Sequence, residues 1–137
     1  MILGAGPVRR RIGRCHYNAR MRVSERRAGG VTVLDLTGRL VLEEGVPVLR
    51  AAIDRLVGDG RRQILLNLRE VTYVDSCGLG LLIAKLVSVR RTGGDVRLLH
   101  LTDRTSHLLE ITRLLDVFLV FTSEQDAVSS FTSPPGV

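Results

Sequence analysis

The residues best suited to chemistry in this sequence lie where a buried strand is followed by a helix, in the run Asp75-Ser76-Cys77-Gly78-Leu79-Gly80. Ser76 is predicted to be the N-cap of that helix, because a serine hydroxyl accepts a backbone N–H that has no partner within the helix. The same hydroxyl, held near the surface, could instead accept a phosphoryl group, whose negative charge a helix N-terminus tolerates. The spacing of the residues leaves both interpretations open.

The helix that follows has a face that could bind a partner. Apolar residues recur at positions 79, 82, 83, 86 and 87, which is helical spacing and predicts that this stripe packs inward. The opposite side would then carry Leu81 and Ala84 beside Lys85 and Ser88. An exposed apolar patch next to a modifiable serine is typical of a protein-binding surface.

Other candidate chemistry is sparse. The three histidines, His16, His100 and His107, lie in three different segments, and Cys15 and Cys77 have neither metal-type nor disulfide-type spacing. No dinucleotide-binding glycine motif and no phosphate-binding loop with its lysine occurs. The sequence therefore predicts a binding module with no catalytic residues, no cofactor and no metal, rather than an enzyme.

The elements that would position Ser76 follow from periodicity and turn residues. Strands are predicted at 21–27 and 31–37, joined by a glycine turn at 28–30, with Gly38 ending the second strand. A helix near 44–57 has Pro47 in its first turn, and a strand at 63–68 precedes the Ser76 helix. A strand at 95–101, a helix capped by Thr102 or Asp103, a strand at 118–121 and a helix capped by Ser123 complete the order. The prediction is a small single-domain α/β fold, ordered β-β-α-β-α-β-α-β-α, with a mixed sheet of four to five strands and about four helices.

These motifs, in this order, resemble the STAS domain and are especially similar to bacterial anti-sigma factor antagonists. Besides residues 75–80, the segments 36–40, 64–68 and 93–96 resemble the family's early Leu-Thr-Gly segment, its central strand and its turn into the next strand. The resemblance covers residues 21–131 and implies the STAS-like fold.

The resemblance also implies a function. In the family the serine directly after the aspartate is phosphorylated, which here is Ser76. It implies a partner that is an anti-sigma factor with serine-kinase activity, release of that partner on phosphorylation, regulation of sigma-factor-dependent transcription, and a phosphatase that resets the switch. The residues expected at the partner-binding surface are Asp75, Ser76, Cys77, Gly78, Leu79, Leu81, Ala84, Lys85 and Ser88.

The sequence departs from the family pattern at two positions. Cys77 stands where a second Ser or Thr is common, and Val41 stands where many phosphorylated members carry an aspartate implicated near the kinase-bound nucleotide. The alternative function is therefore a STAS interaction module that is never phosphorylated, such as a lipid-transporter accessory subunit or a signalling scaffold.

Composition bounds the remaining possibilities. A length of 137 residues predicts one domain, at residues 21–131, with a flexible tail at 132–137. The net charge of +6 comes mostly from residues 1–20, which carry five arginines and no acidic residue and are predicted to be a disordered extension. A basic arm without a recognised motif does not predict nucleic-acid binding. Because no signal peptide and no membrane-length apolar run is found, a cytoplasmic protein without membrane insertion is expected.

Overall fold

A computed structural model describes residues 21–132. The predicted basic extension and the rest of the predicted tail lie outside the described residues, whereas Thr132 ends the last helix. The strands are β1 (Arg22–Ala28), β2 (Val31–Leu40), β3 (Gln63–Val74), β4 (Asp95–Leu99) and β5 (Val120–Phe121). The α-helices are α1 (Gly45–Gly58), α2 (Ser76–Arg91), α3 (Asp103–Ile111) and α4 (Glu124–Thr132), with a short 3₁₀ helix at Leu114–Asp116. The predicted element order and fold class are confirmed.

The five strands form one sheet in chain order, from β1 to β5. β1 and β2 are antiparallel, and the later neighbours are parallel. Because each crossover from β2 onward advances in the same direction and crossovers are right-handed, α1, α2 and α3 cover one face of the sheet. Leu34 and Leu66 pair on that face in the main core, whereas their neighbours Val33 and Leu65 pack on the other face with α4.

The hairpin between β1 and β2 is confirmed. Gly29 and Gly30 form its two-residue turn with φ of 57° and 85°, the left-handed conformations that such turns require. The prediction that Gly38 ends β2 is wrong, because the strand continues to Leu40. Gly38 has a φ of 123° beside a shift in the β2–β3 register, so it forms an irregularity within the strand instead.

The extra residues at the end of β2 help to position the candidate site. Its last residue, Leu40, is fully buried and pairs with Val74, the last residue of β3. β3 itself is longer than the predicted 63–68, because its pairing with the extended β2 continues, through two shifts of register, up to Val74. The carboxyl ends of both strands therefore meet directly beneath the start of α2.

Candidate functional site

Asp75, and not Ser76, is the N-cap of α2. Asp75 has an extended backbone (φ −94°, ψ −177°), and its Oδ1 accepts a hydrogen bond from the Gly78 N–H at 2.7 Å. Ser76 is already the first helical residue. The prediction of a Ser76 cap is therefore wrong, and the reason lies in β3: the strand runs to Val74, so Asp75 takes the last extended position before the helix.

As a consequence, the Ser76 hydroxyl does not cap the helix. The residue is exposed at the surface. None of the described residues makes a hydrogen bond with its side chain, whereas Asp75 satisfies the Gly78 N–H of the first turn. Ser76 thus presents a free hydroxyl at a fixed place, at the positive end of a helix of 16 residues.

Asp75 also contacts the loop between β2 and α1, residues 41–44. Its Oδ2 accepts a hydrogen bond from the Leu42 N–H at 3.1 Å, and its own N–H donates to the Leu40 carbonyl oxygen at 3.2 Å. Both carboxylate oxygens are therefore occupied by backbone donors. Asp75 joins the start of α2 to the β2–α1 loop.

Two glycines allow the helices to approach the end of β2 closely. A Cβ on Gly78 of α2 would lie 2.2 Å from the Leu40 carbonyl oxygen, and a Cβ on Gly45 of α1 would lie 2.5 Å from the Arg39 carbonyl oxygen. Neither position could carry a larger side chain without displacing the backbone. Gly78 is accordingly buried and serves packing, so it is not available for the surface contact that the sequence suggested.

The predicted outward face of α2 is wrong in one respect. Leu81 is buried in the core, and Val87, expected in the inward stripe, is 44% exposed. Apolar residues surround most of this helix, so periodicity alone does not fix its rotation, whereas the close approach at Gly78 does. Ala84 and Ser88 are exposed as predicted.

The remaining predicted surface residues differ in exposure. Cys77 is an exposed free thiol, and Leu79 is half-buried against the core. The Lys85 side chain is only 16% exposed, because its Nζ reaches across to Asp54 of α1 at 2.5 Å. The surface around Ser76 is therefore narrower than the sequence indicated, and its role in binding a partner stays a prediction.

In the β2–α1 loop, sequence reasoning singled out Val41 but missed Leu42. Leu42 is 57% exposed, and the loop lines a shallow cleft of about 240 Å³ beside Asp75. Arg39 and Glu44, which form an ion pair at 3.0 Å, also line this cleft. The signal for Leu42 was an apolar residue between two predicted elements, followed by Glu43 and Glu44. That signal does not tell which way the leucine points.

The part of the chain described, residues 21–132, contains no group of three or more His, Cys, Asp or Glu residues that could hold a metal ion. His100 has its pKa lowered by burial and by the nearby Arg69, and His107 lies near Glu110. No hydrogen bond within the described range joins either histidine to Asp75 or Ser76. Neither histidine is therefore joined to the start of α2, where the Asp75 carboxylate adjoins Ser76 and accepts two backbone N–H groups.

Comparison with known proteins identifies the family of this chain. Residues 22–127 match the STAS domain, and the chain belongs to that family. It is 37% identical to an anti-sigma-B factor antagonist of Staphylococcus aureus over 75 aligned residues. These residues make up 55% of this chain and 69% of that protein. The predicted family is thereby confirmed. No helix in the described range is long and apolar enough to cross a bilayer.

Solved structures share the fold. An anti-sigma factor antagonist from Mycobacterium paratuberculosis superposes with a TM-score of 0.74 at 21% identity, covering 85% of this chain and 97% of that one. The Bacillus cell fate determinant SpoIIAA, in its phosphorylated form, superposes with a TM-score of 0.63 at 20% identity, covering 80% and 98%. At this identity the likeness concerns the fold alone.

Proposed function

We propose that this protein is an anti-sigma factor antagonist whose partner is an anti-sigma factor with serine-kinase activity, and that phosphorylation of Ser76 switches the interaction off. The observation that supports it best is the division of tasks at the start of α2. Asp75 caps the helix, so the exposed Ser76 hydroxyl is left unused and can be modified without loss of the cap.

The charge added by a phosphoryl group is compatible with the fold. Ser76 is the first residue of α2, and the first N–H groups of a helix have no intrahelical partner. These donors and the helix dipole stabilise a negative charge at this place. Phosphorylation would therefore alter the surface rather than unfold the helix, and the charge of about −1.5 to −2 would oppose docking through its desolvation cost.

The phosphoryl transfer would depend on the kinase for its chemistry. The Ser76 oxygen forms a bond to the γ-phosphorus of ATP while the bond from that phosphorus to the β–γ bridging oxygen breaks, and ADP leaves with its Mg²⁺. The hydroxyl proton goes to a base of the kinase, while the Asp75 carboxylate keeps its hydrogen bonds to the backbone N–H groups of Leu42 and Gly78. A phosphatase would later add water across the phosphate ester and restore the hydroxyl. In this reaction the protein itself is a substrate of the kinase and of the phosphatase. Both reactions would take place in the cytoplasm.

A first experiment asks whether Ser76 is the modified residue. The protein is incubated with ATP, Mg²⁺ and each purified anti-sigma factor kinase of the source organism, and its intact mass is measured and the phosphate mapped. We expect one added phosphate, at Ser76, and none in Ser76→Ala. Ser88→Ala is the matched control, because Ser88 is another exposed serine of α2. A phosphate mapped elsewhere would overturn the proposed switch.

A second experiment concerns the binding itself. Ser76→Asp should weaken binding to the anti-sigma factor. Gln125→Glu adds the same negative charge at an exposed residue of α4, outside the expected binding surface, and should leave binding nearly unchanged. If the wild-type protein binds but is never phosphorylated, and Ser76→Asp binds equally well, the unphosphorylated interaction module becomes the better description. Val41, in the place of the family's aspartate, would then be its explanation.

A further inference from the structure

The carboxylate of Asp75 is shared between two segments of the chain. Oδ1 accepts the Gly78 N–H of α2 at 2.7 Å, and Oδ2 accepts the Leu42 N–H of the β2–α1 loop at 3.1 Å. A helix cap alone needs one oxygen. The second bond spans 33 residues of sequence and fixes the position of the loop relative to Ser76.

The loop is held at Leu42 while its side chain remains outside the core. The Val41 carbonyl oxygen accepts hydrogen bonds from the N–H groups of Glu44 and Val46, both at 3.1 Å, which closes the loop onto the start of α1. The Leu42 side chain is nevertheless 57% exposed. A single exposed leucine is ordinary on a protein surface. Here, however, its backbone is bonded to the residue that precedes the candidate phosphorylation site.

We infer that Asp75 is a positioning residue for partner binding: it holds Leu42 and Ser76 together as one rigid surface, on which Leu42 is the apolar contact. This inference rests on the proposed function and adds to it the kind of surface that the anti-sigma factor offers, an apolar pocket next to the place where the serine docks. Because the backbone of Leu42 is already held by hydrogen bonds, binding in that pocket would cost side-chain entropy but little backbone entropy.

Asp75→Asn separates positioning from capping. Asparagine is about as good an N-cap as aspartate, so the bond to Gly78 can be kept. Its amide, however, has only one oxygen, and the NH₂ group would then face the Leu42 N–H, which is also a donor. Asp75→Ser makes the same separation in another way. Serine caps well, but its side chain is shorter and its one oxygen cannot occupy the positions of both Oδ1 and Oδ2.

The first measurement is amide hydrogen exchange by NMR, on the full chain without any partner. In the wild-type protein the Leu42 and Gly78 amides should both exchange more slowly than free amides. In Asp75→Asn and Asp75→Ser, Gly78 should keep its protection and Leu42 should lose it. An unprotected Leu42 amide in the wild-type protein, or one equally protected in both variants, would overturn the inference whatever the partner does.

The second measurement is affinity for the anti-sigma factor, by calorimetry, in unphosphorylated protein. Leu42→Ala and Asp75→Asn should each weaken binding by about fivefold or more, the usual effect of truncating a main contact. Leu119→Ala is the matched control, because Leu119 is an exposed leucine, 47% exposed, beside β5. If the wild-type protein binds the anti-sigma factor and Leu42→Ala binds it equally tightly, this inference is overturned and the proposed function is not. No binding of the wild-type protein to any anti-sigma factor would overturn the proposed function together with it.

Discussion

Replacing Asp75 and Ser76 in turn tests the division of tasks between these neighbours. Asp75→Ala removes the N-cap, worth typically about 1 kcal/mol. It also removes the hydrogen bond from the Leu42 N–H, which is exposed to solvent and is worth about 1 kcal/mol net at most. We therefore expect the free energy of unfolding to fall by up to about 2 kcal/mol. For a chain of this size the melting temperature should fall by up to roughly 8 °C.

The two changes at Ser76 should behave differently. Ser76→Ala removes an exposed hydroxyl that bonds to none of the described residues, so its effect should stay within about 0.5 kcal/mol. Ser76→Asp places a carboxylate at the positive helix end, a gain of about 0.3 to 1 kcal/mol. The adjacent Asp75 carboxylate opposes that gain by repulsion, and the net change should again be small.

Urea unfolding followed by far-UV circular dichroism measures all three variants on the same scale. A loss in Ser76→Ala as large as that in Asp75→Ala would refute the assignment of the cap, because it would mean that the serine hydroxyl holds the helix start. Equal denaturant slopes across the series are needed for the comparison, since a changed slope signals a changed unfolded or native state rather than a lost bond.

Two further predictions concern packing and pH. Gly78→Ala should lower the free energy of unfolding by about 3 kcal/mol or more, because the new Cβ would lie 2.2 Å from a backbone oxygen. Gly80 lies two residues further on with open space around it, so Gly80→Ala should instead raise the free energy of unfolding by about 0.5 to 1 kcal/mol. Arg26 bridges Asp35 and Glu124 and lowers the pKa of both carboxyl groups through its hydrogen bonds. Lowered carboxyl pKa values add stability above the unfolded pKa values of about 4, and that stability is lost as the pH falls through the lower folded values. Urea midpoints measured from about pH 6 downward should therefore fall less steeply in Arg26→Gln than in the wild-type protein, and parallel curves would contradict this role.

The order of the elements could be read from the sequence because local signals agree with the fold. In α1 the apolar residues at positions 46, 49, 53, 56 and 57 fall at helical spacing on one side; the first four are buried, and Val57 is partly buried against the same core. The hairpin glycines and the helix caps Thr102 and Ser123 likewise act locally, and the structure has them in those places. In these segments the short-range pattern and the tertiary packing require the same conformation.

The details of the site could not be read in this way, since each depends on contacts distant in sequence. Asp75 and Ser76 are both good N-caps, and the choice between them follows from the length of β3, which its pairing with β2 sets. Leu81 and Val87 are both apolar, and the contact of Gly78 with Leu40 decides which one is buried. Sequence periodicity contains neither of these facts.

The separation of the cap from the hydroxyl has a consequence for how a switch could work here. If Ser76 were the cap, phosphorylation would replace the hydroxyl that holds the first turn, and the change of charge would be mixed with a change of fold. Because Asp75 holds the turn, a phosphoryl group on Ser76 can act on the partner through charge and desolvation alone. The same carboxylate bonds to the loop that carries Leu42, so under the proposed function the surface offered to the partner would keep its shape while its charge changes. A reversible switch benefits from this arrangement, since removal of the phosphate restores the original surface without refolding any element.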